Sequence, residues 1–195
     1  MSELLNGLLQ RVSIPANMLV EPAPSPEELH TIVNAALTAP DHGALRPWRF
    51  IVFRGEARER LADVYVESAK IANPNLSDAE INAVRQKPLR APLVVAAVAI
   101  VKEHPKVPPH EQIASAAAAT QNLQLAANAL GYGTIWVTGS FATDAHVKRT
   151  LGLNPDDAIV GFVHIGTPGP GSEMAQKKLQ NRPQAADFIV DWPAD

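Results

Sequence analysis

Between His110 and Leu130 the residues Ile113, Ala117, Thr120, Leu123, Ala127 and Leu130 recur at spacings of three and four, with alanine at many positions between them. This periodicity predicts a single helix about 30 Å long with one apolar face. Small side chains elsewhere on it permit close approach of neighbours, so the pattern describes a packed central helix rather than a surface one. Gly131 and Gly133 end it. Upstream, Leu93 to Val101 is almost wholly apolar and β-branched, the composition of a central strand covered on both faces.

Other elements follow from local signals. Ser2 can cap a first helix carrying Leu4, Leu5, Leu8 and Leu9, and the segment from Ile14 to Pro24, with prolines at 15, 22 and 24, reads as extended connection. Ser25-Pro26-Glu27-Glu28 combines a capping serine, a proline at the first helical position and a glutamate three residues after the cap, followed by Leu29, Ile32, Val33, Ala36 and Leu37 on one face. Pro40 stops this second helix. Arg49 to Arg54 predicts a buried strand, and Leu61, Val64, Tyr65 and Ser68 mark the next helix. Ser77 with Glu80 suggests another capped helix in a proline-broken stretch, residues 73–92, which reads as a mobile excursion over a site. Thr134 to Val137 is a short strand, Thr143 is the expected cap of a helix ending near Gly152, and Ala158 to Ile165 is another buried strand. Alternating helices and strands predict an α+β fold in three layers (α/β/α), with a mixed central sheet.

A chain of 195 residues is expected to form one domain, residues 1–195, with a substantial core. Its 46% hydrophobic and 19% charged residues are globular composition. A net charge of -3 does not suggest a nucleic-acid or membrane partner. Cysteine is absent, which excludes disulfides, thiolate metal sites and cysteine nucleophiles. Residues 1–9 resemble neither a signal peptide nor a membrane span, so a cytoplasmic location is the expectation.

The least ordinary passage runs from Ala39 to Phe50, where a helix ends in a polar loop holding Asp41, His42 and Gly43 and leads into Trp48. By pattern alone it is a helix-strand connection with a core tryptophan. Arg11 and Ser13 form an Arg-x-Ser element which, taken alone, is a solvated helix end. His104, His110 and Glu111 fit no zinc helix spacing, so no metal site is expected. Ser13, Ser115 and Ser140 lack a nucleophile elbow.

Taken together, these passages resemble the nitroreductase family over about residues 8–168. Ala39, Pro40, Pro47, Trp48 and Phe50 match the family segment A-P-S-x-x-N-x-Q-P-W-x-F, and the A-P-D-H found here is the form seen in its small members. Arg11 and Ser13 match its R-x-S element. The segment ending in Gly131, Tyr132, Gly133 and Trp136 matches L-x-A-x-x-x-G-x-G-x-x-W, and Gly161 to Pro168 matches the closing strand and turn.

The resemblance implies a nitroreductase-like fold and a homodimer with FMN at the subunit interface. Arg11, Val12, Ser13, Trp136, Val137 and Thr138 would bind FMN from one subunit, and Thr38 and His42 from the other. The turn Ala126, Ala127, Asn128, Ala129, Leu130, Gly131 would serve NAD(P)H. The implied activity is hydride transfer from NAD(P)H through flavin N5 to a nitroaromatic or quinone, with no side-chain acid or nucleophile required. A non-catalytic FMN-binding sensor, or a related flavin enzyme of reductive dehalogenation or flavin cleavage, remains open as an alternative. The chain departs from the family in one respect. Val12 replaces a second basic residue, and Ile14 to Val20 holds no cation, although positive charge near flavin N1 stabilises the reduced ring. Arg46, where the family commonly has glutamine, is the candidate substitute. Arg182 is a possible extra phosphate contact, and Asp187 to Trp192 a segment suited to packing on, or extending, a partner's sheet.

Overall fold

The computed structural model describes residues 2–192. Helix α1 spans Glu3–Gln10, β1 Leu19–Val20, α2 Pro26–Ala36, β2 Trp48–Arg54, α3 Glu56–Ala72, α4 Asp78–Arg85, β3 Leu93–Ala99, α5 Pro109–Ala129, β4 Gly133–Val137, α6 Ala145–Thr150 and β5 Ala158–Pro168. Both serine caps form as reciprocal boxes. Ser25 Oγ accepts from Glu28 N while the Glu28 carboxylate accepts from Ser25 N, and Ser77 and Glu80 repeat the arrangement. At α6 the cap is Asp144, not the expected Thr143. The Asp144 carboxylate accepts from Val147 N at 2.9 Å, whereas the Thr143 hydroxyl donates to Ser140 O.

Strands β3 and β5 are the centre of the sheet, in the order β1-β5-β3-β2, with β4 beside β1 on the outer edge of β5. Every pairing between these strands is antiparallel. Among the described residues, the parallel contribution expected of a mixed sheet is a single bridge, Ser13 with Thr134. Strand β2 differs from its expected burial: it lies at an edge, and only Phe53 in it is buried.

Alternation along β3 divides the core. Val94, Ala96 and Val98 face Tyr65, Phe141 and Phe162 on the side of α3 and α6. Leu93 and Val95 face Ile32, Ala119 and Leu123 on the side of α2 and α5. Fully buried residues such as Ile32 and Leu123 each contribute about 1.5–3 kcal/mol. The buried stripe of α5 runs through Gln112, Ala116, Ala119, Leu123 and Ala127. It is rotated from the expected face, leaving Ile113 and Ala117 half-buried and Leu130 exposed.

Among the described residues, two apolar surfaces are left uncovered. Helix α1 buries none of its residues, and Leu4, Leu5, Leu8 and Leu9 are all exposed. At the other end, Phe188, Ile189, Val190 and Trp192 are 72%, 67%, 79% and 92% exposed.

Candidate functional site

Residues Arg11 to Ile14 run beside the outer edge of β4, where Ile14 N donates to Thr134 O at 3.0 Å and Ser13 bridges Thr134. Gly133 permits this approach, since a Cβ there would lie 2.7 Å from Leu19 Cδ2 and 2.8 Å from Ile14 Cδ1. Arg182 closes on the same segment and donates from Nη2 to Arg11 O at 2.6 Å. Burial, and next the Arg182 guanidinium, lower the proton affinity of Arg11 below the ordinary arginine value. Among the described residues neither guanidinium has a carboxylate partner. Among the described residues, two adjacent cations therefore stand without an anion, and guanidinium groups are suited to phosphate.

Arg11 and Val12 border a cavity of about 600 Å³ shared with Leu4, Leu8, Asn128 and Gly131. The end of α5 and the residues after it, Ala126 to Gly131, expected to serve a nucleotide, therefore adjoin Arg11, but unevenly. Ala127 is fully buried in the core, and Asn128 Nδ2 donates to Tyr132 O at 2.7 Å. Further along β4, Val137 and Thr138 border a second cavity of about 360 Å³, with Asn17, Lys87, Arg90 and His164 among its walls. Trp136 turns its indole to the core side and donates from Nε1 to Val160 O at 3.1 Å, so its polar edge is already used.

Thr38 and His42 lie elsewhere. His42 Nδ1 donates to Glu111 Oε2 at 2.7 Å, at the start of α5. Glu111, weighed in the sequence as a metal ligand, thus holds His42 instead. Thr38 Oγ1 donates to Ala35 O at 2.8 Å and accepts from Asn122 Nδ2 at 3.3 Å. From Glu111 to Asn128 the helix axis extends roughly 25 Å. Within one chain His42 and Arg11 therefore sit toward opposite ends of α5, while Thr38 lies beside Asn122 in its C-terminal half.

The loop carrying His42 is firmly built. Trp48 Nε1 donates to Ser115 Oγ at 2.9 Å, and Ser115 Oγ donates to Pro40 O at 2.6 Å. Asp41 Oδ2 accepts from Arg46 N at 2.7 Å, holding Ala44 and Arg46 at positive φ values of 52° and 49°. Non-glycine residues in this region store strain of order 1–3 kcal/mol each and concentrate at ligand clamps.

Lys87, Arg90 and His164 escaped the sequence reading. Lys87 and Arg90 follow α4, and only the packing of residues 73–92 against α3, with Arg85 Nη2 donating to Asp63 Oδ1 at 2.6 Å, carries them to the cavity. His164 is 6% exposed and its Nδ1 has no hydrogen-bond partner. Burial, reinforced by the Arg90 guanidinium, pushes its pKa down to about 4 from 6.5. The folded chain therefore binds this proton less readily than the unfolded chain, so His164 contributes its full stability above about pH 6.5 and loses it as pH falls toward 4. A loss of roughly 3 kcal/mol across that window is expected in urea titrations. His164→Leu should flatten this acid limb; an unchanged limb would refute the assignment.

The chain belongs to the nitroreductase family, whose profile matches residues 9–167. It is 42% identical over 188 residues to YdjA of Escherichia coli (strain K12), which carries an NAD(P)H nitroreductase name, covering 96% of this chain and 98% of that one. A relative from Haemophilus influenzae with a similar name is 35% identical over 83% of this chain and 86% of its own. The fold matches a nitroreductase-like family protein from Bacillus cereus (TM-score 0.78, 22% identity, covering 100% of this chain and 98% of that one). It also matches a point mutant of NfnB, an FMN and NADPH-dependent nitroreductase derived from sphigopyxis sp. strain HMH (TM-score 0.71, 18% identity, both chains covered in full).

Proposed function

We propose that this protein is an FMN-dependent oxidoreductase that uses NAD(P)H to reduce an electron-poor acceptor such as a nitroaromatic or quinone, and that it works as a homodimer. The observation that carries the reading is the Arg11–Arg182 pair, two adjacent cations beside the Ser13 segment with no carboxylate partner among the described residues. FMN fits there because its phosphate would supply the missing negative charge. When bound, FMN supplies a ring nitrogen, N5, that accepts hydride from NAD(P)H and passes it on.

Arg11, Ser13 and Arg182 would hold the phosphate, and the backbone of Val137 and Thr138 would flank the ring. Trp136 would support that strand from the core rather than stack on the ligand. Thr38 and His42 would come from the second subunit, where the strained Asp41–Arg46 loop presents His42 without reorganisation and Ala35 O and Asn122 hold Thr38. The end of α5 with Leu130 and Gly131, residues Ala126 to Gly131, remains the candidate contact for NAD(P)H.

Helix geometry supports the dimer. His42 and Arg11 lie toward opposite ends of α5, so a two-fold axis crossing that helix would place the start of one copy beside the end of the other. Exposed leucines on α1 and the apolar tail are the surfaces such an interface would cover. Strand β2 is an edge, and a groove beside it is lined by Leu29, Val33, Phe50 and Val52. The partner's Phe188-Ile189-Val190 segment, apolar and partly β-branched, suits that edge. Deleting residues 185–195 is expected to halve the mass in light scattering; an intact dimer would remove the tail from the interface.

The activity reading is tested by loading the purified protein with FMN, desalting it, and adding NADPH or NADH without oxygen. Retained flavin absorbance that bleaches and then recovers with a nitroaromatic is the expected result. Retained flavin that neither nucleotide bleaches would mean a binding protein rather than a reductase.

A further inference from the structure

The first turns of α5 grip the loop between α2 and β2 at two points. Ser115 Oγ donates to Pro40 O at 2.6 Å and accepts from Trp48 Nε1 at 2.9 Å. One turn earlier, at the spacing of four that puts both side chains on one face of a helix, Glu111 Oε2 meets His42 Nδ1 at 2.7 Å. Other polar groups of this region have partners of their own. The Asp41 carboxylate accepts from Arg46 N, and His104 Nδ1 accepts from Lys106 N and Val107 N.

The His42 and Glu111 side chains are 59% and 40% exposed. An ion pair so open to water contributes little to the stability of a fold, because solvent screens it and two side chains are immobilised to form it. What the contact does fix is the chemistry of the imidazole. An ionised carboxylate can only accept, so Nδ1 must carry a hydrogen. In the neutral ring, Nε2 then has a lone pair and no hydrogen. Among the described residues, Nε2 has no hydrogen-bond partner.

Resting on the flavin reading above, the partner of Nε2 is the flavin shared with the other subunit. A bare lone pair cannot donate to the phosphate, but it can accept from a ribityl hydroxyl or from the ring N3–H. We propose that Glu111 is a positioning residue that locks His42 in the Nδ1–H form, so that Nε2 accepts a hydrogen bond from an O–H or N–H group of the flavin across the subunit interface. Glu111 acts on the flavin only through His42. The competing account is local: Glu111 stands in the first turn of α5, where a carboxylate favours the positive end of the helix whatever lies beside it. The two accounts differ in whether the effect of Glu111 on the ligand requires His42.

The test has two readouts. Nitrogen NMR of histidine-labelled protein at about pH 8.5, where imidazole is ordinarily neutral, reports which ring nitrogen of His42 carries the hydrogen, in the empty and the FMN-loaded protein. FMN affinity by fluorescence quenching is measured for wild type, Glu111→Ala, Glu111→Gln, His42→Ala and the Glu111→Ala/His42→Ala double variant. Wild-type His42 is expected in the Nδ1–H form with and without FMN, and Glu111→Ala to lose that preference. Glu111→Ala should weaken FMN by about three- to tenfold, the ordinary worth of one neutral hydrogen bond. Glu111→Gln, whose amide oxygen also accepts from Nδ1, should recover most of the affinity, and Glu111→Ala should change nothing further once His42 is alanine. An equal loss with and without His42 would overturn the proposal in favour of the helix-end role. So would FMN-loaded protein in which Nε2 carries a hydrogen, since Nε2 would then be a donor. Wild-type protein that retains no FMN would overturn the flavin reading and the partner assigned to Nε2, whereas the empty-protein spectra would still decide the lock by Glu111.

Discussion

Replacing Arg11 by glutamine is expected to weaken FMN binding by about 10- to 150-fold while leaving the empty protein no less stable. The first half follows from the strength of charge-assisted hydrogen bonds, about 1.5–3 kcal/mol each, converted at 1.4 kcal/mol per tenfold. The second half comes from the repulsion between Arg11 and Arg182, which an uncharged side chain relieves. A residue that served only the fold would show the reverse pattern, with lost stability and no specific loss of ligand. Fluorescence quenching of FMN measures the affinity and thermal melting of the empty protein the stability. An affinity within threefold of wild type would remove Arg11 from the phosphate site. Arg182→Gln should act in the same direction.

Gly161→Ala is expected to destabilise the protein by about 4 kcal/mol, a large effect for a single methyl group. Gly161 lies on β5 opposite Ala97, where the β3–β5 register shifts, and the Trp136 indole covers it. An added Cβ would fall on the indole, 2.5 Å from Cδ1, and 2.8 Å from Val137 O. One obstacle is therefore a large ring and the other is backbone, and neither can give way cheaply. Overpacking of this kind costs about 1–3 kcal/mol. Displacing the indole also breaks its hydrogen bond to Val160 O, worth a further 1–3 kcal/mol or so if the carbonyl is left unsatisfied. Urea denaturation provides the measurement, and a change below about 1 kcal/mol would contradict the packing argument. Trp136→Phe in the same chain should recover part of the loss, because the smaller ring yields space. Val137 and Thr138 directly follow Trp136, so FMN affinity should fall with stability.

These two expectations separate what the family motifs mean. Arg11 acts through charge toward a ligand. Gly161 and Trp136 act on each other, the indole packing over the glycine and donating to Val160 O. The resemblance implies that Trp136 lines the cofactor, whereas its indole faces the opposite side of β4 from Val137 and the second cavity. Period-two alternation along the strand explains the difference, since neighbouring side chains point to opposite faces.

Elements governed by interactions a few residues apart were legible without coordinates. The boxes Ser25/Glu28 and Ser77/Glu80, the helix ending before Gly131 and the wholly buried strand Leu93–Ala99 all follow from short-range capping or from the periodicity of apolar residues. Local rules also fail where two residues compete for one role, as Thr143 and Asp144 do, because the choice depends on where the preceding chain turns. The motifs located Arg11 and His42 as members of one family site, but not their separation along α5. Sequence alone determined which segments are helix or strand and that the chain resembles a flavin enzyme. Tertiary structure alone decided that β2 lies at an edge, that Glu111 holds His42, and that Arg182 meets Arg11. It alone brought Lys87, Arg90 and His164 to one cavity. The two hydrogen-bonded pairs among these join residues 69 and 171 positions apart in the chain, and no periodicity within a single element specifies which distant partner a side chain will meet.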